Sequence, residues 1–397
     1  MANHCAARAQ RFQCLGMRPY GCRGEPSPPL GPLAPTLARA TTFAHESAEA
    51  LRAVGTGEKP GEFYPRYGHP AGRAFESAVA DAEGTDGAVS FASGMAALHA
   101  IFLAPLGEGA IAAARDLYGG TIALLDKDLP RFGVRVLRFD PFAPGELERA
   151  LEQRVWLVHV ETPTNPLCRV VDVERVAKLA HAKGAVVSVD ATFAPPPLQR
   201  VVALGADLVM HSATKYLGGH SDAIGGVVGG RHEHMAAIEG FRRRTGGILG
   251  PDTAWLALRS MKTLALRVRQ QAETAARLAR FLVGKKGVAG VHYPGLESHP
   301  DHAVAKRQME SFGAVLAFEV QGGLAAAVRV YDRFRVIGRA VSLGGVESIA
   351  SLPVHTSHAM IPPAERARAG IADGLIRLSV GLEPYDALAA DLERSLT

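Results

Sequence analysis

Cysteine is scarce in this chain and unevenly placed. The 397 residues include four cysteines, and Cys5, Cys14 and Cys22 all fall in the opening segment beside His4. With Cys168 alone in the body of the chain, the usage points to a reducing, cytoplasmic setting. The opening cysteines lack the paired C-x-x-C spacing of a zinc ligand set, so no metal is expected. Long hydrophobic runs are missing too. Gly, Pro, Arg or Asp interrupts every apolar stretch before it reaches the length of a membrane span, which leaves no membrane role. Acidic residues are absent before Glu25, whereas Arg8, Arg11, Arg18 and Arg23 precede it and account for most of the net charge of +5. No basic stripe with interleaved aromatics remains elsewhere, so nucleic acid is not an expected partner. The opening segment also lacks the apolar core of a secretory signal. Residues 1–30 are read as a disordered extension.

The composition that remains, 47% apolar and 21% charged, is that of a globular protein. Its length calls for a large domain with a smaller companion. Residues 24–36, "GEPSPPLGPLAPT", read as a Pro-rich linker or arm. Helical spacing follows over 73–83, then a strand in "AVSFASG" and a helix in "MAALHAIFLAPL". Further strands are expected at "VWLVHVE" (155–161), "AVVSVD" (185–190) and "ADLVMHSATK" (206–215), with a helix at 173–184 stopped by glycine. Strands alternating with helices predict an α/β fold with a mainly parallel central sheet flanked by helices. Residues 258–285 read as one long helix, leading to a smaller C-terminal α+β domain whose strands, 314–320 and 374–383, have one exposed face. The expected division is an extension and arm over 1–62, a large domain over 63–257 and a C-terminal domain over 258–397.

Ligands of open parallel sheets bind at the carboxyl ends of the strands. Those ends fall at Ser93-Gly94-Met95, Glu161 to Pro166, Asp190 to Phe193 and Ser212 to Lys215. Asp190 and Lys215 end consecutive strands, and a crossover of that length sets an acid and an amine side by side. Pyridoxal phosphate requires such a pair, the amine for its aldehyde and the acid for its ring nitrogen. The Ser-Gly-Met turn at a helix start suits the phosphate, as do the hydroxyls of Ser212 and Thr214. The glycines after Lys215, in "TKYLGGHSDAIGG", are expected to leave room for a ring and a substrate.

The motifs "SFASGMAALHA", "DLYGGT", "VETPTNP", "SVDATFAPPPLQ", "SATKYLGGHSDAIGGVV" and "GLIRLSVGLE" occur in order from about residue 35 onward. In them the chain resembles the Cys/Met-metabolism family of pyridoxal-phosphate enzymes: cystathionine synthases and lyases, methionine γ-lyase and O-acylhomoserine sulfhydrylases. The resemblance implies the type I fold of pyridoxal-phosphate transferases. It implies that Lys215 binds the cofactor covalently and shuttles a proton, and that Asp190 pairs with the ring nitrogen. Gly94, Met95, Ser212 and Thr214 would hold the phosphate, and Tyr118 would stack on the ring and assist proton transfer. Tyr64 and Arg66 match a Tyr-x-Arg motif that reaches a neighbouring subunit's phosphate, which implies a homodimer or homotetramer. Asn165, Ser342 and Arg377 match positions around the substrate carboxylate and cofactor. Arg377 suits a bidentate grip on a carboxylate. Glu161 would fix local structure, and His220 and Asp222 would serve the glycine-rich turn.

Several positions depart from the family pattern. His69-Pro70-Ala71 stands where Asn-Pro-Thr is usual, and Ala191 where Asn is usual. Ala123 and Val341 occupy places where cystathionine-processing members often carry Arg and Glu, and Gly120 stands where methionine γ-lyases have Cys. The expectation is a lyase or transferase acting by β/γ-elimination or γ-replacement on a sulfur-containing or O-acylhomoserine-type amino acid with a small or apolar distal end. The alternatives are an O-acylhomoserine sulfhydrylase, a cystathionine γ-synthase, or a cofactor-binding protein without turnover.

Overall fold

A computed structural model of the chain describes residues 36–104 and 107–397. The opening cysteines and arginines, the expected disorder of 1–30 and nearly all of the Pro-rich segment lie outside those residues. The described chain is built on two sheets. The larger has seven strands: β1 (Gly87–Phe91), β2 (Ala110–Ala114), β3 (Val136–Phe139), β4 (Val155–Glu161), β5 (Val186–Asp190), β6 (Leu208–Ser212) and β7 (Gly226–Gly230), in the spatial order β1-β7-β6-β5-β4-β2-β3. The five strands from β6 to β3 are parallel, and only β7 runs antiparallel to both of its neighbours. Helices flank this sheet.

Local sequence explains most of these elements. All seven residues of β4 are buried, as a strand covered on both faces requires. The helix Val173–His181 begins where the Asp172 side chain accepts from Arg175 N–H (3.1 Å), and buries Val173, Val176, Ala177 and Ala180. The connection from β5 to β6 holds a short turn of 3-10 helix, Val201–Leu204, rather than a full helix. β5 and β6 are nonetheless adjacent and parallel, with Asp190 in register with Met210.

The smaller sheet comprises β8 (Val288–His292), β9 (Val315–Val320), β10 (Gly338–Arg339), β11 (Ile349–Ser351) and β12 (Leu375–Ser379), ordered β10-β11-β12-β9-β8 and antiparallel except for β10 against β11. Three sequence expectations are corrected. The helix read over 258–285 is two helices, Pro251–Met261 and Leu264–Leu282. At the break, backbone bonds tighten to Lys262 N→Arg259 O and Thr263 N→Ser260 O. The Thr263 hydroxyl bonds Ser260 O and receives Arg267 Nε, both at 3.2 Å, competing with the helical pattern.

Second, β9 and β12 have no exposed face: β12 is buried throughout and β9 at all but Glu319. Ile376 and Leu378 pack with Leu316 and Phe318 in the core of the smaller sheet. Leu375 and Ala317 pack on the other side with Leu167, from the loop after β4, and Ile371. Arg377 alternates onto that same inner side as Leu375. The small sheet therefore aims an arginine at the strand ends of the large one. Third, Lys215 does not end a strand. β6 stops at Ser212, and Lys215 lies in a tight turn closed by Lys215 N→Ser212 O (3.0 Å) and Gly219 N→Lys215 O (2.7 Å).

Candidate active site

A cavity of about 630 Å³ lies where β4, β5 and β6 end and the smaller sheet faces them. Its wall includes Gly94, Met95, Tyr118, Asn165, Asp190, Ser212, Thr214, Lys215, Ser342 and Arg377. Residues more than 280 positions apart in sequence thus meet around one space. Glu161, Val341, Thr192 and the turn residues His355, Thr356 and Ser357 complete the polar and rim positions used below.

One end is suited to an anion. The helix Gly94–Leu103 starts at the cavity, capped by Ser93, whose hydroxyl accepts from Ala96 N–H (3.1 Å). Its first-turn N–H groups point away from the helix body and carry the positive end of its dipole. A Cβ on Gly94 would lie 3.0 Å from Met210 Cε and 3.2 Å from Ser212 Oγ, so only glycine keeps this corner open. The Thr214 hydroxyl is tied to the turn by Gly225 N–H (3.1 Å). Gly218, Gly219, Gly225 and Gly226 do not open the cavity, contrary to expectation. A Cβ on each would meet, respectively, Ala213 O (2.7 Å), the Arg267 guanidinium (2.1 Å), Leu249 (3.0 Å) and Ser93 O (2.3 Å). They permit backbone packing behind the lysine. His220 serves the same turn, its Nδ1 lying 2.8 Å from Gly218 O.

At the centre, Lys215 Nζ donates to Ser342 Oγ (2.7 Å). Burial and the Arg377 charge lower its pKa to about 8, against an opposing pull from Asp190. Asp190 is buried, accepts from Thr192 N–H (3.0 Å) and is in register with Glu161 on β4. Burial raises both carboxyls, Glu161 well above the ordinary range, and Asp190 adds to the rise at Glu161. The Thr192 bonds, His211 and Lys215 pull Asp190 the other way. Of the pair, Asp190 is the better placed to hold a negative charge. Glu161 accepts from Tyr118 N–H (2.7 Å), which fixes the root of that aromatic side chain.

Arg377 donates from Nη1 to Asn165 Oδ1 (2.8 Å) and from Nη2 to Ser342 O (2.7 Å), leaving its buried Nε without a partner. Ser342 sits in the left-handed region at φ +92°, a conformation that costs about 1–3 kcal/mol in a non-glycine residue and is held here by that bond. Below it, Gly344 N–H bonds Ser379 Oγ (2.9 Å).

Tyr64 and Arg66 lie outside this cavity. Arg66 donates to Arg243 O (2.8 Å), its guanidinium lies against the Tyr64 and Tyr67 rings, and Tyr64 is 45% exposed. His69 fills the place of a capping Asn: its Nδ1 accepts from Gly72 N–H (3.1 Å) and its Nε2 donates to Leu249 O (2.8 Å). Ala71 and Ala191 are buried, and neither lines the cavity. Ala123 does not line it either, whereas Val341 does, at 66% exposure. Sequence reasoning did not single out Thr192, whose hydroxyl accepts from Ser212 N–H (2.9 Å) and joins β5 to β6 beside Asp190. Its signal was its place two residues beyond a strand-end acid. His355 to Ser357 had no such signal.

The chain's residues 23–397 match the model of the family described as Cys/Met metabolism PLP-dependent enzyme. It is 41% identical over 387 residues to an O-succinylhomoserine sulfhydrylase from Pseudomonas aeruginosa, covering 97% of this chain and 95% of that one. An L-methionine gamma-lyase from Pseudomonas deceptionensis is 41% identical over 370 residues, covering 92% and 93%. Among solved structures, a cystathionine gamma lyase from Micromonospora echinospora superposes with a TM-score of 0.86 at 39% identity, covering 94% of this chain and 96% of that one.

Proposed function

The chain belongs to the Cys/Met metabolism family of PLP-dependent enzymes, and we propose that within it the protein acts at the γ-carbon of a short-armed amino acid, an O-acylhomoserine, homocysteine or methionine, rather than on cystathionine. The family makes it a pyridoxal-phosphate-dependent lyase or transferase of sulfur amino-acid metabolism. The cavity fits that cofactor: a helix N-terminus, a corner that only glycine leaves open, a buried acid and a depressed lysine share one space. When bound, pyridoxal phosphate supplies an aldehyde for an amine and a ring that accepts electron density from the substrate's α-carbon.

The roles proposed for the chain's own groups follow from their placement. Gly94 and Met95 N–H groups and the Ser212 and Thr214 hydroxyls hold the phosphate. Asp190 faces the ring nitrogen, steadied by Thr192. Lys215, part neutral near pH 8, binds the cofactor, then removes the α-proton and returns it further along the substrate. Ser342 keeps the amine aimed. Arg377, with its free Nε and with Asn165 alongside, grips the substrate carboxylate. Tyr118, on the cavity wall, would stack on the ring and assist proton transfer. Elimination from O-acetylhomoserine with water gives 2-oxobutanoate, acetate and ammonia; replacement installs a thiol where the acyl group leaves.

One observation carries the substrate preference. Beyond the groups just assigned, the cavity wall offers no Arg or Lys, its one further carboxyl, Glu161, is buried and taken up by Tyr118 N–H, and Val341 presents an apolar face. The second zwitterionic end of cystathionine would have to shed its water without charged partners. We further propose a cytoplasmic homotetramer built from dimers, with Tyr64 and Arg66 reaching the neighbouring subunit's phosphate, because neither reaches the cavity of its own chain. Among the described residues no helix is long and apolar enough to cross a membrane. The test is a panel of O-acetylhomoserine, O-succinylhomoserine, homocysteine, methionine and cystathionine, scored for 2-oxo acid, and for thiol exchange when sulfide is added. A clear preference for cystathionine overturns the reading.

A further inference from the structure

The polar side chains around the cavity divide into those already engaged within the chain and those that are not. The Thr192 and Thr214 hydroxyls bond Ser212 N–H and Gly225 N–H. Lys215 is paired with Ser342, and Arg377 with Asn165. The Thr356 hydroxyl donates to Leu352 O (2.8 Å), and the Ser357 hydroxyl lies 2.8 Å from His358 Nδ1. Three polar side chains of the wall make no hydrogen bond, ion pair or ring contact among the described residues: Ser212, Tyr118 and His355. The cofactor accounts for the first two. His355 is left over.

His355 is nonetheless firmly placed. It ends the 3-10 turn Pro353–His355, directly after β11. That turn is closed by His355 N→Leu352 O (3.0 Å), Thr356 N→Pro353 O (3.1 Å) and His358 N→Pro353 O (2.9 Å). It abuts the Tyr118 loop, since Ser357 O stands 3.1 Å from where a Cβ on Gly119 would be. The imidazole is therefore an exposed hydrogen-bonding group on a hydrogen-bonded turn at the cavity wall, and that turn's continuation at Ser357 meets the loop that holds Tyr118. Neither sulfur substrate of the proposed set, the thiol homocysteine nor the thioether methionine, offers a strong acceptor at its distal end, because such sulfur accepts only weakly. An ester carbonyl does.

We infer that His355 is a specificity-determining residue that donates a hydrogen bond to the distal ester carbonyl of the substrate, so that the preferred substrate is an O-acylhomoserine. This role presupposes the γ-carbon chemistry proposed above. It also gives the distal end one polar anchor where Val341 gives none. A site built to bond an oxygen discriminates against an analogue without it more strongly than an apolar pocket discriminates by size.

The test uses the holoenzyme with His355→Ala and His355→Gln, each checked for wild-type cofactor absorbance and melting temperature. Steady-state KM is measured for the acetyl and succinyl esters of homoserine, and Ki for methionine as a competitor. In His355→Ala, KM for the better ester should rise about tenfold, as expected for one lost hydrogen bond to a bound substrate. The methionine Ki should move less than threefold. His355→Gln, which keeps an N–H donor, should recover part of the loss. An unchanged ester KM overturns the inference alone, and so does an equal rise for ester and methionine, which would mark a merely structural role. A wild type that turns over neither ester overturns the inference, and one that turns over neither ester nor homocysteine nor methionine overturns the γ-carbon reading with it.

Discussion

The depressed pKa of Lys215 makes a kinetic prediction that separates a built amine from an ordinary one. At about 8, roughly one Lys215 side chain in ten is neutral at pH 7, against about one in three thousand for a lysine at its usual 10.5. Only the neutral amine attacks an aldehyde. Cofactor-free protein mixed with pyridoxal phosphate in a stopped-flow instrument should therefore bind it about ten times faster at pH 9 than at pH 7, levelling off above pH 8. A free lysine would show about a hundredfold rise over that range and no plateau. Burial is the larger cause of the shift and the Arg377 charge the next. Arg377→Leu should accordingly move the plateau to higher pH without abolishing it. The same shift links to folding. Between about pH 8 and 10.5 the unfolded chain holds a proton that folded Lys215 has lost, so the cofactor-free protein gains stability as pH rises through that window. A hundredfold rate increase with no levelling would refute the electrostatic picture of the site.

Three further outcomes are expected. Arg377→Leu should raise KM for every amino-acid substrate about 10- to 100-fold, and Arg377→Lys should recover little, because the bidentate geometry is lost. Gly94→Ala should fold, by circular dichroism, yet bind pyridoxal phosphate at least about tenfold more weakly in an absorbance titration, because the new methyl group crowds Met210 and Ser212 at the phosphate corner. If Arg66 reaches a neighbouring site, co-refolding inactive Lys215→Ala with weakened Arg66→Ala should restore about a quarter of wild-type activity, since half the sites in the mixed dimers are intact. No recovery would place Arg66 in its own subunit's machinery or in none.

Much of the large sheet was legible because its sequence obeys one physical rule at a time. β4 is apolar apart from His159 and its terminal Glu161, and β5 ends in the acid that its neighbour's register confirms as a strand terminus. β2 was missed because "AIAAA" has the local preference of a helix; burial between β3 and β4 makes it a strand. The break at Lys262–Thr263 carries neither glycine nor proline, so nothing in the periodicity marks it, and the hydrogen bonds of Thr263 decide it. The exposed face expected for β12 failed for a tertiary reason: Leu167, two hundred residues earlier, covers it. The site was legible where chemistry is concentrated in short motifs, as at Lys215 and Asp190. It was opaque at His355, whose place on the cavity wall depends on how the smaller sheet packs against the large one.

The central claim is that Lys215 is the amine that binds the cofactor. Borohydride reduction of the holoenzyme, followed by proteolysis and mass spectrometry, tests it most directly. The reduced cofactor should be found on the peptide containing Lys215, and Lys215→Ala should yield no such adduct and no 2-oxo acid. An adduct on another lysine, or full turnover by Lys215→Ala, would contradict it.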